Sequence, residues 1–156
     1  MPFDNSQIKT LQMENSELLP HVIELLKEKH TVTLPLRGFS MRPFLEDQRD
    51  KALLKYRPYI DKGDVVLAEI APGKYVLHRI VAIGNKYLTL QGDGNLTKEY
   101  CLTKDIRAVA IGFYRKGRDT LDSTDGWKWK IYSAVWTFLT PIRRYLLFIY
   151  RLTKKL

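Results

Sequence analysis

The period of the hydrophobic pattern changes at about Thr31, and that change constrains the fold more than any other feature. From there to Lys116 the apolar residues fall in short runs: TVTLPL, KALLKYR, DVVLAEI, KYVLHRIVAI, KYLTLQ and IRAVAIGFYR. They are rich in Val, Ile, Leu and Tyr, which fit a pleated, half-buried surface, and turn chemistry separates them, so they read as strands. Gly84-Asn85 lies between two runs and suits a two-residue hairpin loop, because both residues tolerate positive φ. Lys62-Gly63-Asp64 and Gln91-Gly92-Asp93-Gly94-Asn95 read as further turns. No helical pattern intervenes, so residues 31–117 are expected to form a mainly β, antiparallel domain.

The flanks read differently. Residues 1–30 hold one amphipathic helix, with Ser16 as N-cap, Glu17 in the first turn and Pro20 near the start. Leu18, Leu19, Val22, Ile23, Leu25 and Leu26 recur at helical spacing and predict a face packed on the body. Residues 118–156 are expected to be a linker (Asp119 to Gly126) and then a basic, Trp-rich helical tail that Pro141 breaks or kinks.

Charge and composition narrow the function classes. The net charge is +9, and residues 126–156 supply seven basic side chains and no acidic one, which leaves +2 for the rest. All three tryptophans lie in that tail. Two readings fit it: a membrane-surface helix, because Trp and Lys or Arg favour an anionic interface, or a helix docked on the body with its basic face (Arg144, Arg151, Lys155) in water. Nucleic acid is not an expected partner, since the body is nearly neutral and no recognised binding motif is present. Cys101 is the only cysteine, which excludes a disulfide scaffold, and no metal-ligand spacing occurs, so neither a metal nor another cofactor is expected. The opening MPFDNSQIKT lacks a basic region and an apolar run, unlike a signal peptide, and no stretch of 18 or more apolar residues predicts a spanning helix.

Three segments carry chemistry. In Gly38-Phe39-Ser40-Met41-Arg42-Pro43, the glycine permits a sharp turn and the proline sets the direction after it, so that Ser40 is exposed past the TVTLPL strand. A serine nucleophile needs a base within hydrogen-bond reach, and His78 is the side chain best suited to take its proton near neutrality. On a KYVLHRIVAI strand, His78 shares a face with Val76, Ile80 and Ala82, while Tyr75, Leu77, Arg79, Val81 and Ile83 point the other way. Asp93, in the turn after the next strand, is a carboxylate that would receive the imidazole N–H and fix its tautomer.

The combination G-F-S-M-R-P-F-L, K-G-D-V-V, L-H-R-I-V and Q-G-D-G-N, in that order from about Leu34 to Gly117, resembles the peptidase core shared by signal peptidase I and the self-cleaving repressors of the SOS and phage type. A histidine at the base position is similar to the endoplasmic-reticulum and archaeal-type signal peptidases, where bacterial relatives use lysine. The resemblance implies the signal-peptidase/repressor-type β fold, with Ser40 as nucleophile, His78 as base, Asp93 as supporting acid, and Met41 and Arg79 as neighbours shaping the site.

The reaction implied is peptide-bond hydrolysis through an acyl-serine intermediate, on an extended substrate paired to a strand edge. The Ser40 N–H is the first oxyanion donor. Relatives often add a serine hydroxyl two residues before the nucleophile, where this chain has Gly38. The spanning helix of signal peptidases has no counterpart here, and neither Ala-Gly nor Cys-Gly, the bonds at which the repressors cleave themselves, occurs. The expectation is therefore a cytoplasmic or inner-membrane-surface endopeptidase that processes leader peptides or one dedicated protein. The alternative is an inactive peptidase-fold module that binds extended peptides or anionic membrane.

Overall fold

The structure is a computed structural model that describes residues 15–155. Helix α1 (Asn15–Lys27) leads into strands β1 (Val32–Pro35), β2 (Lys51–Lys55), β3 (Val65–Ala71), β4 (Lys74–Ile83), β5 (Leu88–Gln91), β6 (Glu99–Cys101), β7 (Ile106–Tyr114) and β8 (Leu121–Ser123). Helices α2 (Trp127–Phe138) and α3 (Arg143–Lys155) follow, joined by a 3₁₀ turn that contains Pro141. Every strand pairing is antiparallel, in the order β1-β2-β7-β3-β4-β5-β6, with β8 added beside β7. The mainly β reading holds.

Side-chain alternation divides the sheet into two apolar faces. Val65 and Leu67 of β3 join Leu54, Ala108, Ala110 and Phe113 under α1 and Trp129, while Val66 and Ala68 join Ile80, Leu88, Leu90 and Cys101 on the other side. Burying each such Leu, Ile or Phe is worth roughly 1.5–3 kcal/mol, enough to fix which face every strand residue takes. β4 obeys this pattern: Tyr75 and Leu77 pack on the first cluster, Val76 and Ile80 on the second.

Several expectations need correction. Ser16 lies inside α1 rather than capping it, and Leu25 is exposed while Val22, Ile23 and Leu26 carry the buried stripe. The helix ends with Lys29 at φ 68°, and His30 N–H donates to Leu25 O across it. The β4–β5 turn has Asn85 and Lys86 at its tip, closed by Gly84 N–H to Tyr87 O at 3.0 Å, and none of these residues has positive φ. The expected linker contributes β8, because Leu121, Asp122 and Ser123 continue the ladder on Tyr114, Phe113 and Gly112.

Candidate active site

Ser40 sits in a turn five residues past the end of β1, at the second position of a bend closed by Arg42 N–H to Phe39 O at 3.2 Å. Gly38 makes that bend possible: its φ is +81°, a region that costs a side chain strain, and its N–H donates to Asp47 Oδ1 at 2.7 Å. Met41 is buried in the first apolar cluster, and Pro43 follows a cis peptide. The loop beyond is pinned at Asp50, wholly buried, whose carboxylate accepts from the Glu46 and Lys116 N–H groups and from Arg49. Burial works to raise the Asp50 pKa, but these donors hold it below its ordinary value.

The Gly92-Asp93-Gly94-Asn95 turn is a backbone cradle for Ser40. Gly94 N–H donates to Ser40 O at 2.7 Å, and Asn95 N–H closes the turn on Gly92 O at 2.9 Å. A Cβ at Gly92 would lie 2.3 Å from Ser40 O and 3.1 Å from His78 Nε2, and one at Gly94 would lie 2.6 Å from Phe39 O. The glycines are required here by close backbone approach, and Gly92 marks the point where the Ser40 loop and the His78 ring converge.

His78 is 3% exposed, on the face the alternation predicts. Its Nδ1 meets Glu99 Oε2 at 2.7 Å. The carboxylate on this imidazole is therefore Glu99 of β6, not the expected Asp93. With Nδ1–H donated to Glu99, Nε2 has no hydrogen-bond partner among the described residues and lies beside Gly92, the same glycine that Ser40 O approaches. Ser40 and His78 line one cavity of about 180 Å³, whose wall includes Leu34, Leu36, Met41 and Leu77. No hydrogen bond links Ser40 Oγ to His78 among the described residues. Such contacts are often long without substrate and tighten when it binds.

Asp93 does other work. Its carboxylate accepts from Arg79 Nε and Nη2, both at 2.8 Å, and from Tyr132 O–H at 3.1 Å, while Trp136 Nε1–H donates to its backbone oxygen. Arg79 and Asp93 are both 0% exposed. Arg79 Nη1 also donates to Gly63 O and Ser133 Oγ, and its guanidinium lies 4.9 Å from the Trp129 ring. Burial would depress Arg79, but the Asp93 pair outweighs it and raises its pKa. Burial, reinforced by Asp93, likewise pushes the Tyr132 phenol well above its ordinary value. Arg79 and Asp93 shape the site by clamping the turn that cradles Ser40, a positioning role, with α2 as the roof.

The sequence pattern does not single out Glu99 as a site residue. The available signal was its period-two spacing from the apolar Cys101, which puts both on the face of His78. Glu46 is a second addition: it lines the cavity, binds Arg42 at 3.0 Å, and accepts from Tyr150 O–H of α3. Among the described residues, no group of three or more His, Cys, Asp or Glu side chains is placed to hold a metal ion. No family model, curated protein or solved structure matches the chain.

Proposed function

We propose that the protein is a serine endopeptidase of signal-peptidase-like mechanism, with Ser40 as nucleophile, His78 as base and Glu99 as the acid that orients it. The observation that carries the reading is the convergence at Gly92: the Ser40 carbonyl oxygen and His78 Nε2 lie 2.3 and 3.1 Å from the one point a Cβ there would occupy, with Glu99 behind Nδ1. His78 Nε2 takes the Ser40 hydroxyl proton as Oγ attacks the scissile carbonyl, then returns it to the leaving amine. Water, deprotonated by the same nitrogen, hydrolyses the acyl-Ser40 ester. The Ser40 N–H donates to no protein oxygen among the described residues and serves as an oxyanion donor.

Strand edges beside the cavity support an extended peptide substrate. Among the described residues, β1 is paired only on its β2 side, and Tyr75–Leu77 of β4 only on the β3 side, because β5 begins its pairing at Arg79. Both free edges line the cavity, whose small volume suits a short side chain next to the cleaved bond. The proposed place of action is the cytoplasm or the inner membrane surface, on leader peptides or a dedicated protein. Incubation with a diverse peptide pool, read by mass spectrometry for new termini, tests this. Wild type should cut, Ser40→Ala and His78→Ala should not, and Glu99→Gln should be slower by roughly 10²–10⁴-fold at nearly unchanged stability. Equal cleavage by the Ser40 or His78 variants would sink the assignment.

The open Ser40–His78 contact and the missing hydroxyl at Gly38 favour one rival, a peptide-binding module without catalysis. Peptide binding that survives Ser40→Ala, with no cleavage by either protein, is its signature.

A further inference from the structure

Helices α2 and α3 each carry, besides the side packed on the body, a second apolar stripe that faces outward, where a soluble surface helix is polar. On α3, Arg143 and Leu147 are buried, Tyr150 is half-buried, and its contact and that of Lys154 with Glu46 fix the inward side. Tyr145, Phe148, Ile149 and Leu152 at i, i+3, i+4 and i+7 form the opposite face, with Tyr145 and Phe148 each 62% exposed. Arg144, Arg151 and Lys155 are exposed along one flank of it. α2 repeats the arrangement: Trp129 and Trp136 are buried, while Trp127, Ile131, Val135 and Phe138 at i, i+4, i+8 and i+11 face out, Trp127 at 69% and Phe138 at 84% exposure. Lys128 and Lys130 flank that stripe.

We propose that these two helices are a peripheral docking surface for an anionic lipid bilayer. The apolar stripes, with Trp127 among them, enter the interface, and five exposed cations (Lys128, Lys130, Arg144, Arg151, Lys155) meet the lipid headgroups. Charge decides against a second copy of the chain as the occupant. Residues 126–156 contain no acidic side chain, so two such faces would repel each other. The helices lie on the bilayer and do not cross it, because among the described residues no helix is long and apolar enough to span. The proposal is independent of the peptidase reading and needs no activity to be tested.

The test is co-sedimentation of the full chain with vesicles of phosphatidylcholine alone or with a quarter phosphatidylglycerol. Binding to the anionic vesicles only, weakened by salt, is expected. Each of Arg144→Gln and Arg151→Gln should cost about fivefold in partitioning, and Phe148→Ser with Ile149→Ser should remove most binding. These side chains are exposed, so an unchanged melting curve will show that the variants fold. No sedimentation, equal sedimentation with neutral vesicles, or full binding by the variants would overturn the proposal. So would a dimer whose formation, not lipid binding, is lost in Phe148→Ser with Ile149→Ser.

Discussion

Replacing Asp93 by alanine separates a positioning carboxylate from a catalytic one. The change removes two charged hydrogen bonds of 2.8 Å and the Tyr132 contact, and leaves Arg79, 0% exposed, without a counter-charge. Breaking a buried pair from one side costs about 3–5 kcal/mol, most of it the uncompensated charge. For a chain of this size that lowers the melting temperature by roughly 6–20 °C. Urea unfolding followed by tryptophan fluorescence is the assay, since Trp129 and Trp136 pack against this pair. The double variant Arg79→Met with Asp93→Leu should recover part of the loss, because apolar replacement removes both charges together. A loss below about 1 kcal/mol, the range of an exposed ion pair, would refute the clamp. So would Glu99→Gln destabilising the fold as strongly as Asp93→Ala.

Three further outcomes follow from the geometry. Gly92→Ala must move Ser40 or the turn, since the added Cβ would sit 2.3 Å from Ser40 O; under the proposed peptidase mechanism a shift near 1 Å at Ser40 costs on the order of 10²-fold in rate, measured on a peptide cut in the pool assay. Burial, with Asp105 nearby, pushes the Cys101 thiol up to about 11, so the native protein should resist iodoacetamide at neutral pH and react only once unfolded, as mass spectrometry will read. Burial, then Glu46, pushes Tyr150 from its ordinary 10.0 up to about 12. Its contribution is complete below pH 10 and lost as pH rises towards 12, so the stability gap between wild type and Tyr150→Phe should close over that window. Glu46, which burial would raise but Tyr150 and Arg42 hold below its ordinary 4.5, contributes above that pH and loses its contribution as pH falls further. The same gap should narrow in acid.

The sequence by itself determined what depends on local period and backbone chemistry. Six strands, the bend at Gly38, the break at Pro141 and the face of His78 were legible, because strand side chains alternate and turn residues have individual φ preferences. β6 and β8 were not, because three-residue strands carry almost no periodic signal and form only when a neighbour offers a ladder. The carboxylate partners were decided by tertiary structure alone. Asp93 lies two residues past Gln91, which pairs with Arg79 next to His78, so sequence order left both bases within its reach. The turn directs it to Arg79, and α2, some forty positions farther along the chain, closes over the pair with Tyr132 and Trp136. Glu99 reaches His78 Nδ1 from β6 because β5 and β6 fold back beside β4. Ion pairs among buried groups follow proximity and desolvation, and proximity between distant segments exists only once the sheet has closed.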